Sequence, residues 1–357
     1  MGKLIKKSVT AQQLPPQKKR GAALITALVV VFIVMAIITN ITVRNYRVIR
    51  RLTNQKVMEQ CYGILLVAVD FGRAALATSA TTSKTDALTD IWAQPIPRTK
   101  LMDDIFMSGY LIDEQGKFNL NDLIGAGQVN LTVLAQFSAL LKTLNIPEEI
   151  APAIAYYMAA PQYQGSITQG YLNGNPAYRP AGKPLVDLSE LILVKGMNPQ
   201  WVYKLNQYVT AIPQPINGLI QNESQSESGV SSNPKGAAPT GTGSVLVNVN
   251  TASAQVIAAK SGIPLAVAQR MTTVRENTPF KSQQDITNFL TSNGIMLSQN
   301  SSQGTTKITP STLTTNSNYF TVHVVVDKGD YEFKWVALLY RASRGGQWPK
   351  VLWQHPE

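Results

Sequence analysis

Reactive side chains are what this sequence has least of. It holds one cysteine, Cys61, and two histidines, His323 and His355. A single thiol forms no internal disulfide, and one thiol with a distant imidazole makes no nucleophile–base pair. No Cys/His set has the spacing of a zinc site, and no glycine-rich phosphate loop follows a strand pattern. Acids are missing from the whole N-terminal stretch. None occurs before Glu59, although eleven of the 32 lysines and arginines lie there. The rest of the chain sets 21 bases against 21 acids, so the basic footprint of a nucleic-acid binder is absent beyond residue 56. The acidic loops at 113–122 and 327–330 are rich in oxygen. They lack the EF-hand spacing and its terminal glutamate, and read as hairpin turns.

What is present is one long apolar run. Residues 22–43 carry no charge, and a helix needs about 20 such residues to cross a bilayer. A secretory signal has a shorter apolar core, about 7–15 residues, followed by a small-x-small site. Here Gly21, Ala22 and Ala23 precede the run instead, so the segment stays with the protein. The six bases in front, Lys3, Lys6, Lys7, Lys18, Lys19 and Arg20, keep the N-terminus in the cytoplasm. The bulk of the chain is then outside, in a periplasm where the cell has one.

Beyond the membrane, no proline interrupts 44–79, and apolar residues recur at helical spacing at Val57, Cys61, Leu65 and Val69. One continuous helix is expected. "NYFTVHVVVDKGDYEFKWVALLYRA" alternates and turns at "DKGD", which predicts a hairpin, and "WPKVLWQ" predicts a further strand. "FMSGYLIDEQGKFNL" (106–120) reads as a second hairpin turning at "DEQG". Between these β segments "NLTVLAQFSALLKTL", "PEEIAPAIAYYMAA", "DLSELILVKGM", "NPQWVYKLNQYV" and "TASAQVIAAKSGIPLAVAQRMTTVRE" read as helices, with Pro147 and Asn198-Pro199 at helix starts. Residues 222–244, without aromatics and rich in Ser, Gly and Pro, predict a mobile loop, and 297–318 a second one. An internal repeat is visible: "FNLNDL" at Phe118 resembles "VNVNTA" at Val247, and "LNIPEEIAPAIAYYM" resembles "SGIPLAVAQRM". Each unit is an Asn-x-Asn start, a helix, an Ile-Pro turn and a second helix.

The second unit is similar to a helix-hairpin-helix, best known from DNA-binding proteins such as competence receptors. Those hold phosphate on a Gly-x-Gly turn. This turn is Gly262-Ile263-Pro264, and Pro264 has no N–H to offer. The other copy, Asn145-Ile146-Pro147, is followed by Glu148 and Glu149, which repel phosphate. The repeats read as a scaffold, with no nucleic acid among the partners.

"KKRGAALITAL" resembles the signal of type IV pilin-like proteins. "IWAQPIP", "YLIDEQGKFNLNDL", "LVDLSELILVKGM" and "VNVNTASAQVIAA" resemble, in order, the K-type minor pseudopilins of type II secretion systems. The resemblance implies an α+β pilin fold, a long N-terminal helix on a small antiparallel sheet, with a large inserted all-α domain of helix-hairpin-helix or SAM-like repeats. It divides the chain into a leader (1–21), a transmembrane segment (22–43), the first part of the pilin domain (44–118), the insertion (119–315) and the C-terminal strands (316–357). It implies cleavage by prepilin peptidase between Gly21 and Ala22, methylation of Ala22, and Thr26 at the position where most members carry glutamate. It places the protein in the bacterial inner membrane as a single-pass chain, at the tip of a periplasmic pseudopilus. There it would start or cap assembly for export of folded proteins across the outer membrane. The implied partners are the I-type and J-type minor pseudopilins, the major pseudopilin, the prepilin peptidase and the inner-membrane secretion platform. No catalytic role or required cofactor is implied. Some heads of the family bind calcium, but no ligand residue can be matched here. A minor pilin of a type IV pilus or competence system, and a membrane-tethered DNA receptor, are the alternatives.

Overall fold

The structure, a computed structural model, describes residues 20–102, 104–213, 244–295, 308–329, 331–342 and 348–357. Residues 1–19 of the expected leader, 222–243 of the expected mobile loop and 297–307 of the second loop lie outside the described residues. The chain divides into two compact units, 1–62 and 63–357.

Helix α1 (Arg20–Thr82) is a single helix of 63 residues. Its long run of Ala, Leu, Val, Ile and Met has no proline to break it. Over residues 23–56 it is exposed all round, with Leu24, Phe32, Met35 and Ile41 among the bare apolar side chains. It is the one helix among the described residues long and apolar enough to cross a membrane.

In the second unit the chain continues through β1 (Ile96–Met102), β2 (Ile105–Asp113), β3 (Phe118–Asn119), β4 (Ile124–Gly125), β5 (Gln128–Val129), α2 (Leu131–Thr143), α3 (Ile150–Met158), α4 (Ile167–Leu172), α5 (Pro199–Leu205) and β6 (Val209–Thr210). It goes on through β7 (Val247–Asn248), α6 (Ala254–Ser261), α7 (Leu265–Asn277), α8 (Gln283–Ser292), β8 (Leu313–Thr314), β9 (Tyr319–Lys328), β10 (Tyr331–Tyr340) and β11 (Lys350–Pro356). One antiparallel sheet runs in the order β1-β2-β9-β10-β11. Leu65, Ala68, Val69 and Leu76 of α1 are buried, as are Phe320, Val322, Val324 and Val326 of β9. Gly109 of β2 is required by its neighbour: a Cβ there would lie 2.7 Å from the His323 carbonyl oxygen.

The C-terminal hairpin and third strand stand where the alternation puts them. The second expected hairpin does not form. Residues 106–120 do not turn back at "DEQG". β2 pairs instead with β1 and β9, Glu114–Gly116 is a buried 3-10 turn, and Phe118 pairs in parallel with Val209. The turn residues face inward, where Asp113 accepts from the Gln115 N–H, so the chain leaves the sheet here and does not reverse.

The excursion from the sheet runs from the end of β2 to the start of β9 and is not all-α. Two parallel two-residue pairs, β3–β6 and β7–β8, and one antiparallel pair, β4–β5, accompany its helices. "LSELIL" is a 3-10 helix (Leu188–Leu193), capped by Asp187 and Glu190. Asn198 caps α5 with Pro199 at its first position, as its sequence suggests.

Candidate functional site

The N-terminal end of α1 holds the residues to which the pilin-like signal points. Arg20, Gly21 and Ala22 are helical. Thr26 donates its hydroxyl to the Ala23 carbonyl at 2.9 Å, so its hydroxyl is satisfied within its own helix.

The repeat seen in the sequence is a repeat in geometry. Each Asn-x-Asn opens on a two-residue strand paired in parallel with a strand far downstream: Phe118-Asn119 with Val209-Thr210, and Val247-Asn248 with Leu313-Thr314. The first asparagine of each folds its side chain back onto the backbone. Asn119 Oδ1 accepts from the Asn121 N–H at 3.3 Å, and Asn248 Oδ1 from the Asn250 N–H at 3.0 Å. The second asparagine clamps a remote peptide from both sides. Asn121 bonds the N–H and carbonyl of Leu185 at 2.8 and 3.0 Å, and Asn250 those of Phe280 at 2.9 Å each. At the Ile-Pro turns, Asn145 (φ 51°) and Gly262 (φ 76°) both adopt the left-handed conformation. Ile146 and Ile263 that follow are both buried. Pro264 precedes α7 directly, so that turn presents no N–H at this position. Glu148 and Glu149 beside the other turn are exposed.

Two buried charge clusters join the parts, and sequence reading missed both. Arg341, at the end of β10, is 1% exposed. Its guanidinium donates to Asp86 Oδ2 at 2.5 Å and to the Ser317 carbonyl at 2.7 Å, and lies over the Phe320 ring. Next to it Asp113 receives Ser317 Oγ and Thr251 Oγ1 at 2.6 Å and Asn248 Nδ2 at 2.9 Å. Burial pushes the Asp113 carboxyl up to about 6, against the downward pull of these hydrogen bonds and with a further upward push from the Asp86 charge. The second cluster joins the two copies: Lys260 of α6 meets Asp122 at 3.0 Å, with both side chains fully enclosed. Ser244 Oγ and the Val245 N–H complete the carboxylate, and the ammonium sits over Phe118. A charge inside an apolar run, as in "VIAAKSGI" and "VALLYRA", is the signal that would have found these residues.

The histidines belong to the sheet. Tyr110, His323, Val336 and His355 occupy one register row across β2, β9, β10 and β11. His323 stacks on Tyr110 at 4.8 Å and His355 on Trp353 at 5.1 Å. The row contains no alcohol or thiol. Among the described residues no three His, Cys, Asp or Glu side chains gather closely enough to hold a metal ion. The acids of the 113–122 loop are taken up by the donors named above and by Lys117, which meets Glu114 at 3.2 Å.

Two family models match the chain, both described as type II secretion system (T2SS), protein K: one over residues 116–214 and one over 247–306. A type II secretion system protein K of Pseudomonas aeruginosa is 29% identical over 341 residues, covering 92% of this chain and 90% of that one. Together these matches support the protein K family of type II secretion systems. The type II secretion system protein K of Klebsiella pneumoniae is 26% identical over 208 residues, covering 55% of this chain and 63% of its own length. In fold, the chain is similar to a chain in the crystal structure of the GspK-GspI-GspJ complex from enterotoxigenic Escherichia coli. The TM-score is 0.63 at 21% identity, covering 86% of this chain and 99% of that one. The two family models begin at the two Asn-x-Asn copies, one at Gly116 and one at Val247.

Proposed function

We propose that this chain is a minor pseudopilin of the protein K family at the tip of the type II secretion pseudopilus, where it starts or caps assembly with I- and J-type minor pseudopilins. The observation that carries the reading is the pair of protein K matches over both copies, joined to a relative aligned along nine-tenths of the chain. In this reading α1 spans the inner membrane with its N-terminus in the cytoplasm, and residues 63–357 face the periplasm. Prepilin peptidase cuts between Gly21 and Ala22, the new terminus at Ala22 is methylated, and the helix is kept. The major pseudopilin and the inner-membrane platform are further partners. The two copies act as helix-hairpin-helix-like scaffolds that bind protein and not nucleic acid, and the chain performs no catalysis.

Thr26 fits an end position. A carboxylate inside a bilayer is costly unless paired, and in filaments of this class it pairs with the N-terminal amine of a neighbour. A threonine bonded to its own helix makes no such pair. A subunit with a large head and no pairing acid suits the end of a filament, where nothing stacks above it. The test is the composition of isolated pseudopili. A few copies of this chain per filament, recovered with I- and J-type chains, is the expected result. Filaments built mainly of this chain, with native Thr26 or with Thr26→Glu, would overturn it.

A further inference from the structure

Arg44, Arg47 and Arg51 of α1 are all exposed. At 3.6 residues per turn they fall within a sector of about 60°. Arg50 stands about 90° from the centre of that stripe, and its guanidinium lies over the Tyr46 ring at 5.0 Å. The helix does not neutralise the stripe itself. No acid precedes Glu59, which is about 12 Å along the helix from Arg51.

The stripe begins where the apolar run ends. Relative to Val43 at the edge of the hydrocarbon, the three Cα atoms rise through about 1.5 to 12 Å. The headgroup layer on one side is about 5–8 Å thick, and arginine stems reach back toward it. N-terminal to the stripe the same side of the helix is apolar, with Phe32, Met35, Ala36 and Val43 leading up to Arg44 and Arg47. An apolar face ended by guanidiniums has the polarity of one phospholipid: acyl chain along the face, phosphodiester at the arginines. A carboxylate from a neighbouring helix would use the arginines but not the apolar face.

We propose that this face of α1 binds an anionic phospholipid in the leaflet next to the main domain. The proposal rests on α1 crossing the membrane and not on any place in a filament. The mature full-length chain in nanodiscs of phosphatidylcholine, carrying trace spin-labelled phosphatidylglycerol or phosphatidylcholine, tests it. The expected result is at least about fivefold stronger association of phosphatidylglycerol, the effect of one or more surface arginines. That preference falls below about twofold in high salt, as screening requires. It also falls in the triple variant Arg44→Gln/Arg47→Gln/Arg51→Gln and persists in Arg50→Gln and in the triple lysine variant. Equal association of the two lipids, or a preference that survives in the triple glutamine variant, overturns the proposal. Equal association with an acidic pilin-like chain cross-linked to the stripe also overturns it, in favour of a protein partner. A chain that fails to insert overturns it along with the membrane-spanning reading. A chain that shows the lipid preference but never enters pseudopili overturns the tip reading alone.

Discussion

Replacing Asn248 with alanine asks what fastens the excursion to the sheet. The amide is fully buried. Its Nδ2 lies 3.0 Å from the Asp86 carbonyl, 2.9 Å from Asp113 Oδ2 and 2.9 Å from Ser317 Oγ. Its Oδ1 takes the Asn250 N–H. In Asn248→Ala, Asp113 keeps Ser317, Thr251 and Gln115 as donors. The Asp86 carbonyl loses this donor and the Asn250 N–H loses its acceptor, both in the interior. Each buried polar group deprived of a partner costs about 1–3 kcal/mol, and the small void adds roughly 1 kcal/mol. The sum is about 3–7 kcal/mol, a large part of the roughly 5–15 kcal/mol that holds a typical domain. At about 2–4 °C per kcal/mol for a large domain, the melting temperature should fall by about 6 °C or more. The assay is urea and thermal unfolding of residues 63–357, followed by tryptophan fluorescence. Trp92 reports on the sheet and Trp201 on the excursion. A loss below about 1 kcal/mol, outside the range for stranded buried groups, would refute the argument and leave the β7–β8 pairing as the fastening.

The remaining predictions test the other contacts. Asn145→Gly should leave stability unchanged or slightly raised, and Gly262→Val should lower it by more than about 1 kcal/mol, because both positions are left-handed and only the second change forbids that conformation; equal effects in urea titrations would contradict this. Asp113, with its folded value raised to about 6, contributes stability that is fully present below its unfolded value and is lost as pH rises through about 6. The head should lose about 2 kcal/mol from this group between pH 4 and pH 7, and that slope should be missing from Asp113→Asn measured in parallel. Lys260→Met should cost about 3–5 kcal/mol by leaving Asp122 buried without its cation, while Lys260→Met/Asp122→Leu should recover much of the loss; a double variant as unstable as the single one would point to another role. Gly21→Leu should block processing. The retained leader adds about 2.3 kDa by mass spectrometry, from 38.9 kDa over 357 residues, and a mature chain beginning anywhere but Ala22 would contradict the cleavage reading.

Much of the architecture was legible because periodicity reports local geometry. The α1 run, the β9–β10 hairpin and helices α2, α3, α6 and α7 follow patterns that one element satisfies alone. The errors came where long-range contacts override the local signal. "DEQG" has the composition of a turn, but its residues are buried against Thr251 and Asn318 of distant segments. β1 carries Pro97, Arg98 and Lys100 and is exposed along most of its length, so no alternation marks it. "LSELIL" has helical composition but runs only one short stretch between Asp187 and Val194. The charge clusters at Lys260 and Arg341 depend on partners 138 and 255 residues away, which no local window contains.

The Asn-x-Asn segments show why a motif can be visible and still look weak. Their strands are two residues long, and even a full two-stranded pair is marginal in water. Backbone pairing cannot therefore hold Phe118-Asn119 or Val247-Asn248 in place. The side chains at alternate positions do it. Phe118 and Leu120, and Val247 and Val249, are buried in the core. Between them Asn119, Asn121, Asn248 and Asn250 carry the hydrogen bonds that a longer ladder would have supplied from its backbone. An amide is suited to this because it offers donor and acceptor together, and Asn121 and Asn250 each use both on a single remote residue. Aspartate, with acceptors only, could satisfy the remote N–H but not the remote carbonyl. The motif is thus a device for tying a segment down without a sheet. It reads as a loop in the sequence because the bonds that define it run to Leu185, Ile212, Phe280 and Ser317, between 30 and 93 residues away.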